Sequence, residues 1–65
     1  MEPLTEREIK VLEMLALGLS NEALGDRLCL SMHTVRFHLR NIFVKLGAKS
    51  RTQAVSLAQR YGLIR

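Results

Sequence analysis

The stretch SNEALGDRLCLSMHTVRFHLRNIFVKLG, from Ser20 to Gly47, constrains this chain most. Ser20 is a good N-cap, and Glu22 follows in the first turn, where the helix dipole favours an acid. A helix then runs through NEALGDRL, with Ala23, Leu24 and Leu28 available to a core. CLS makes a short turn, and Ser31 caps a longer helix that runs to about Leu46 and stops at Gly47. Two helices of about 8 and 15 residues joined by a turn of about three form a helix-turn-helix pattern. Gly25 sits inside the first of them, where it costs up to about 1 kcal/mol relative to Ala. Such a residue implies close approach of another helix.

The flanks add one helix on each side. TERE, from Thr5 to Glu8, is a capping box in which hydroxyl and carboxylate each reach the other residue's amide. Pro3 restricts the chain just before it, and Gly18 stops the helix. Its apolar stripe is read as Ile9, Leu12, Leu15, Ala16 and Leu19. SRTQ, from Ser50 to Gln53, is a second capping box, and Gly62 ends the helix it opens. Nothing alternates with period two for long enough to be a strand. The expectation is an all-α, four-helix compact domain spanning residues 1–65, with helices at about 5–17, 21–28, 32–46 and 51–61.

A chain of 65 residues buries only about 60% of its unfolded surface. That leaves no room for a substrate cleft with its own supporting core, so an enzyme is not expected. Cys29 is the single cysteine, which excludes an internal disulfide and fits a reducing cytoplasm. No apolar run approaches the roughly 20 residues that span a bilayer, and the start MEPLTEREIK has no signal-peptide core. Met1 is read either as a native start or as one added to a domain cut from a longer chain.

Charge divides the chain. Residues 1–30 carry three cations against six acids, net −3, and residues 31–65 carry seven cations and no acid, net +7. A single-sign half attracts polyanions, nucleic acid foremost and an anionic membrane second. The third helix says more. At 100° per residue, Val35, Leu39, Ile42 and Leu46 lie within about 60° of one another and form a buried stripe. The opposite face holds His33, Arg36, Phe37, Arg40 and Val44, with Thr34, His38, Asn41 and Lys45 on a flank. A solvated face has no need of Phe37 or Val44. A major-groove face uses both kinds of residue: Arg donates two hydrogen bonds to guanine O6 and N7, and an apolar ring packs on a thymine methyl. Hydroxyls, amides and Lys on the flank suit phosphate oxygens.

These residues bring a resemblance with them. The stretches LTEREIKVLEMLALGLSNEAL, LSMHTVRFHLRNIFVKLGAKSR and QAVSLAQRYGLI resemble the LuxR-type (GerE-type) helix-turn-helix domain of bacterial transcription regulators over nearly the whole chain. The resemblance implies that the third helix is the recognition helix and that the domain binds double-stranded DNA as a dimer. It assigns the bases to Arg36, Phe37 and Arg40, beside which His33 is expected. It assigns phosphates to Thr34, Lys45 and nearby hydroxyls, read here as Ser31 and Ser50, and the amide and cations Asn41, Lys49 and Arg51 are expected to join them. It places dimer contacts on the fourth helix, where Gln53, Ser56, Leu57 and Arg60 lie away from Ala54, Val55 and Ala58, with Leu57 as anchor. Three residues depart from the family pattern. Ala23 stands where a Glu often completes a capping box, Gly25 where Ala is common, and Phe37 where a smaller aliphatic residue is usual.

Other chemistry is set aside. His33, His38 and Cys29 fit no zinc spacing, and the two imidazoles point about 140° apart on a helix. No metal and no cofactor are expected. Two rivals to the dimeric DNA reader stay open. One is a sigma-factor-like promoter-binding domain working with RNA polymerase, which shares LTERE. The other is a basic module docking on an acidic protein.

Overall fold

The computed structural model describes residues 3–65. Met1 and Glu2, with the reading of Met1, lie outside the described residues. Four helices follow in order: α1 (Glu6–Ala16), α2 (Asn21–Leu28), α3 (Met32–Leu46) and α4 (Arg51–Arg60). No strand occurs among the described residues. Each boundary falls within a residue of the expected one, because each helix carries its own start and stop. Thr5, Ser20, Ser31 and Ser50 are all extended N-caps whose hydroxyls accept an amide hydrogen three residues on. The Thr5 box is complete, with Glu8 Oε1 accepting from the Thr5 amide at 2.9 Å. The Ser50 box is not. Gln53 Oε1 accepts from the amide of Lys49, one residue before the expected partner.

Helix α3 is the centre of the packing, in contact with α1, α2 and α4. Its stripe of Val35, Leu39, Ile42 and Leu46 is buried as the periodicity requires. Against it lie Leu12 and Leu15 of α1, Leu24 of α2, and Ala54 and Ala58 of α4. The two alanines of α4 leave little between backbones, so α4 packs close. The α1 stripe is rotated from the expected one. Glu8, Val11, Leu12, Met14 and Leu15 are buried, whereas Ile9 is half-buried and Ala16 exposed. The cause is Glu8, an acid on the inward arc that draws a hydrophobicity-based reading towards Ile9. No helix among the described residues is long and apolar enough to cross a membrane.

The α2–α3 turn explains Gly25. A Cβ built there would lie 2.9 Å from the carbonyl oxygen of Leu30 and 3.6 Å from Val35 Cγ2. The close neighbour is thus first the turn backbone, with α3 behind it. Leu30 in turn donates its amide to the Gly25 carbonyl at 2.9 Å. Cys29 makes this wrap possible by taking the left-handed conformation, φ 56°, at a cost of about 1 kcal/mol for a residue other than Gly. Gly25→Ala is expected to lower stability by about 1 kcal/mol net. The forced shift, about 1–3 kcal/mol for overpacking, outweighs the roughly 1 kcal/mol gained in helix propensity. Urea denaturation measures it, and a stabilised variant would show that the turn yields freely.

Candidate nucleic-acid interface

The outer face of α3 is assembled by elimination. Once Val35, Leu39, Ile42 and Leu46 turn inward, the 3.6-residue repeat leaves His33, Arg36, Phe37, Arg40 and Val44 outward, and all five are exposed. Phe37 keeps 58% of its surface in solvent and Val44 keeps 74%. The Phe37 ring meets His38 edge-on, with centroids 6.0 Å apart. The guanidinium groups of Arg36 and Arg40 have no hydrogen bond or ion pair among the described residues, and the Lys49 ammonium is likewise unengaged. Three cations and two apolar side chains therefore share one side of the molecule with their donors unspent.

The phosphate set expected from the sequence divides in the structure. Ser31 and Thr34 sit together at the start of α3, their hydroxyl oxygens 3.0 Å apart. Only one hydroxyl hydrogen is used between them, so the other can still be donated outward. Asn41 is half-buried on the same flank, and Lys49 and Ser50 are exposed in the α3–α4 turn. Lys45 and Arg51 are different. Lys45 Nζ lies 2.8 Å from Glu8 Oε1 and 3.3 Å from the Pro3 carbonyl oxygen. Its side chain is only 17% exposed. Its ammonium turns inward, not outward towards a phosphate. It is the partner of a buried carboxylate, and it ties the end of α3 to the start of α1. Arg51 donates to the carbonyl of Leu19 at 2.9 Å and to the side-chain oxygen of Asn21. Its guanidinium closes the α1–α2 turn against the start of α4 rather than standing free for phosphate.

Burial pushes the Glu8 carboxyl up. Hydrogen bonds from Lys45 and from the Thr5 amide, with the Lys45 charge, outweigh this and hold it below its ordinary value. No buried polar side-chain atom among the described residues lacks a partner, so the interior leaves no polar group waiting for a ligand. The outer face of α3 does.

On α4, Gln53, Ser56 and Arg60 are exposed as expected. Leu57, expected as the anchor, faces outward only in part. It is half-buried and packs against the core, on the shoulder of the arc that holds Ala54 and Ala58. Cys29 is exposed and free. Among the described residues no group of His, Cys, Asp and Glu is placed to hold a metal.

Comparison with known proteins identifies the arrangement. The family profile "Bacterial regulatory proteins, luxR family" matches residues 2–58. The chain is 44% identical over 63 residues to the transcriptional regulatory protein YxjL of Bacillus subtilis, covering 97% of this chain and 29% of that protein. It is 40% identical over 63 residues to the transcriptional regulatory protein LiaR of the same organism, covering 97% of this chain and 30% of that one. It thus spans less than a third of these relatives. Among solved structures, the response regulator ChrA of a heme-sensing two-component system superposes with a TM-score of 0.95 at 42% identity, covering 98% of this chain and 32% of that one. The transcription factor GerE superposes with a TM-score of 0.90 at 32% identity, covering 100% of this chain and 97% of that one. The matching profile, the relatives and the superposed structures agree with the helix-turn-helix read from the residues: this chain belongs to the luxR family of bacterial regulatory proteins, as a DNA-binding domain of the transcription-regulator type.

Proposed function

We propose that the domain binds double-stranded DNA sequence-specifically as a dimer, with α3 in the major groove. The observation that carries the reading is the outer face of α3, where two guanidinium groups, unpaired among the described residues, flank an exposed Phe37 opposite the buried stripe. Arg36 and Arg40 read guanine edges, Phe37 packs on a thymine methyl, and His33 reaches bases from the first turn. Ser31, Thr34, Asn41, Lys49 and Ser50 hold phosphates and set the register. Self-association uses the exposed side of α4, Gln53, Ser56 and Arg60, with the edge of Leu57. The supporting electrostatics are one-sided: the only acid near α3 in the ion pairs of the described residues is Glu8, and Lys45 consumes it.

Selection of bound duplexes from a random pool at about 150 mM salt, where longer-range attraction is screened, tests this. The expected result is an enriched motif of two related half-sites about one helical turn apart. A half-site without a partner would remove the dimer. No enrichment would remove sequence reading, and RNA polymerase would then be the partner to test. Within the same reading, Lys49→Ala is expected to weaken all duplexes alike and to lower the slope of log affinity against log salt by about one. A change in base preference would move Lys49 from phosphate to base.

A further inference from the structure

Val44 has no role in folding that the structure shows. It is 74% exposed, and as a β-branched residue it costs a helix several tenths of a kcal/mol relative to Ala. It continues the reading face by a full turn beyond Arg40. At 100° per residue, positions 33, 37, 40 and 44 fall within about 60° of one another, so Val44 is in line with Phe37 and Arg40. Beside it the surface dips into an open apolar depression formed with Leu39, Phe43 and Ala48, and rimmed by Arg36, Arg40 and Lys49. Every polar side chain that lines it is a cation. An apolar floor within a cationic rim suits an occupant that offers apolar groups between negative charges. Duplex DNA does so wherever a C5-methyl of thymine stands in the major groove between phosphate rows.

We infer that Val44 is a second methyl-reading residue, which extends the sequence preference of α3 beyond the bases met by Arg36, Phe37 and Arg40. Phe37 and Val44 are separated by about 10.5 Å along the helix axis. On a helix inclined in the major groove, side chains about this far apart reach bases about two steps apart. The half-site should therefore carry two methyl-dependent positions about two base pairs apart, with the Arg40 position between them. This rests on the DNA-reading function proposed above.

The experiment uses the duplex enriched by selection and replaces each thymine in turn by uracil, which removes the C5-methyl and leaves the base edge intact. Loss of one buried methyl should weaken binding by about fourfold. The expected result is two sensitive thymines at the stated spacing, with sensitivity at one of them abolished in Val44→Ala and at the other abolished in Phe37→Ala. Val44→Ala removes an exposed side chain, so thermal denaturation should show an unchanged fold. An unaltered uracil profile in Val44→Ala overturns the inference while leaving the DNA reader standing. An enriched motif with no methyl-dependent position within reach of Val44 overturns it as well. Unchanged DNA binding combined with loss of affinity for an acidic protein would reassign the depression to that partner. Absence of any enriched motif fails the DNA-reading function itself and takes this inference with it.

Discussion

Lys45→Ala is expected to destabilise the domain by about 3 kcal/mol, although Lys45 lies on the helix that faces DNA. The residue it strands is Glu8, 3% exposed. The Glu8 carboxylate is 2.8 Å from Lys45 Nζ and 2.9 Å from the Thr5 amide nitrogen. Removing one partner of a buried pair costs about 3–5 kcal/mol, because the other charge stays buried and uncompensated. The lower end applies because the Lys45 side chain is 17% exposed and water can reach the gap. At roughly 0.05–0.15 kcal/mol per residue, a domain of this size has only about 3–10 kcal/mol in total. The variant therefore keeps between about none and about 7 kcal/mol of that total, and its Tm should fall by about 4–8 °C for each kcal/mol lost. Urea and thermal denaturation measure this. A loss below about 0.5 kcal/mol would show that the pair behaves as an exposed one. Pairing Lys45→Met with Glu8→Gln should recover most of the loss, since no charge is then stranded.

The same pair sets an acid dependence. The carboxyl of Glu8 is held below its ordinary value in the folded state. Its contribution is therefore complete above the unfolded carboxylate pKa of about 4.3 and is lost as pH falls through the lowered folded value. Glu8→Gln should flatten that acid limb of the stability curve. DNA binding separates the two roles open to Lys45. A phosphate ligand lowers the salt slope by about one when removed, whereas a buried partner of Glu8 leaves the slope of the folded fraction unchanged.

Much of the fold was legible because its instructions are local. Thr5, Ser20, Ser31 and Ser50 act on amides three residues away, and Gly18, Gly47 and Gly62 stop their own helices. The α3 stripe was legible because its four buried positions are all aliphatic. What stayed hidden depends on partners distant in sequence. The Lys45–Glu8 pair and the Arg51–Leu19 contact join residues 37 and 32 positions apart, and no periodicity carries such information. Both lysine and arginine looked like free cations because charge counting cannot see a folded partner. The half-burial of Leu57 stayed hidden for a related reason. A helical wheel gives its angle, but only the packing of α1 and α3 around α4 decides how wide the buried arc is. The outer face of α3 was readable because nothing among the described residues covers it.

Arg36→Ala is expected to reduce affinity for the selected duplex by about 2 kcal/mol, roughly thirtyfold, and to relax preference at a single base pair of each half-site. The exposed guanidinium makes no bond within the described residues, so its removal should leave thermal stability unchanged, and the loss reads directly as recognition. Affinity for scrambled duplex should fall far less, since there Arg36 offers only charge. Arg36→Lys separates charge from shape. An ammonium keeps the attraction to phosphates but lacks the planar fork that matches guanine O6 and N7. This variant should bind scrambled DNA as the parent does and still lose the preference. Arg40 lies about one turn further along the same face, close enough that the double variant need not show the sum of the two single losses. Competition binding against cognate and scrambled duplexes at fixed salt measures all of these. Equal weakening on both duplexes by Arg36→Ala would move Arg36 from the bases to the phosphates and shift the reading centre of α3 towards Phe37, Arg40 and Val44.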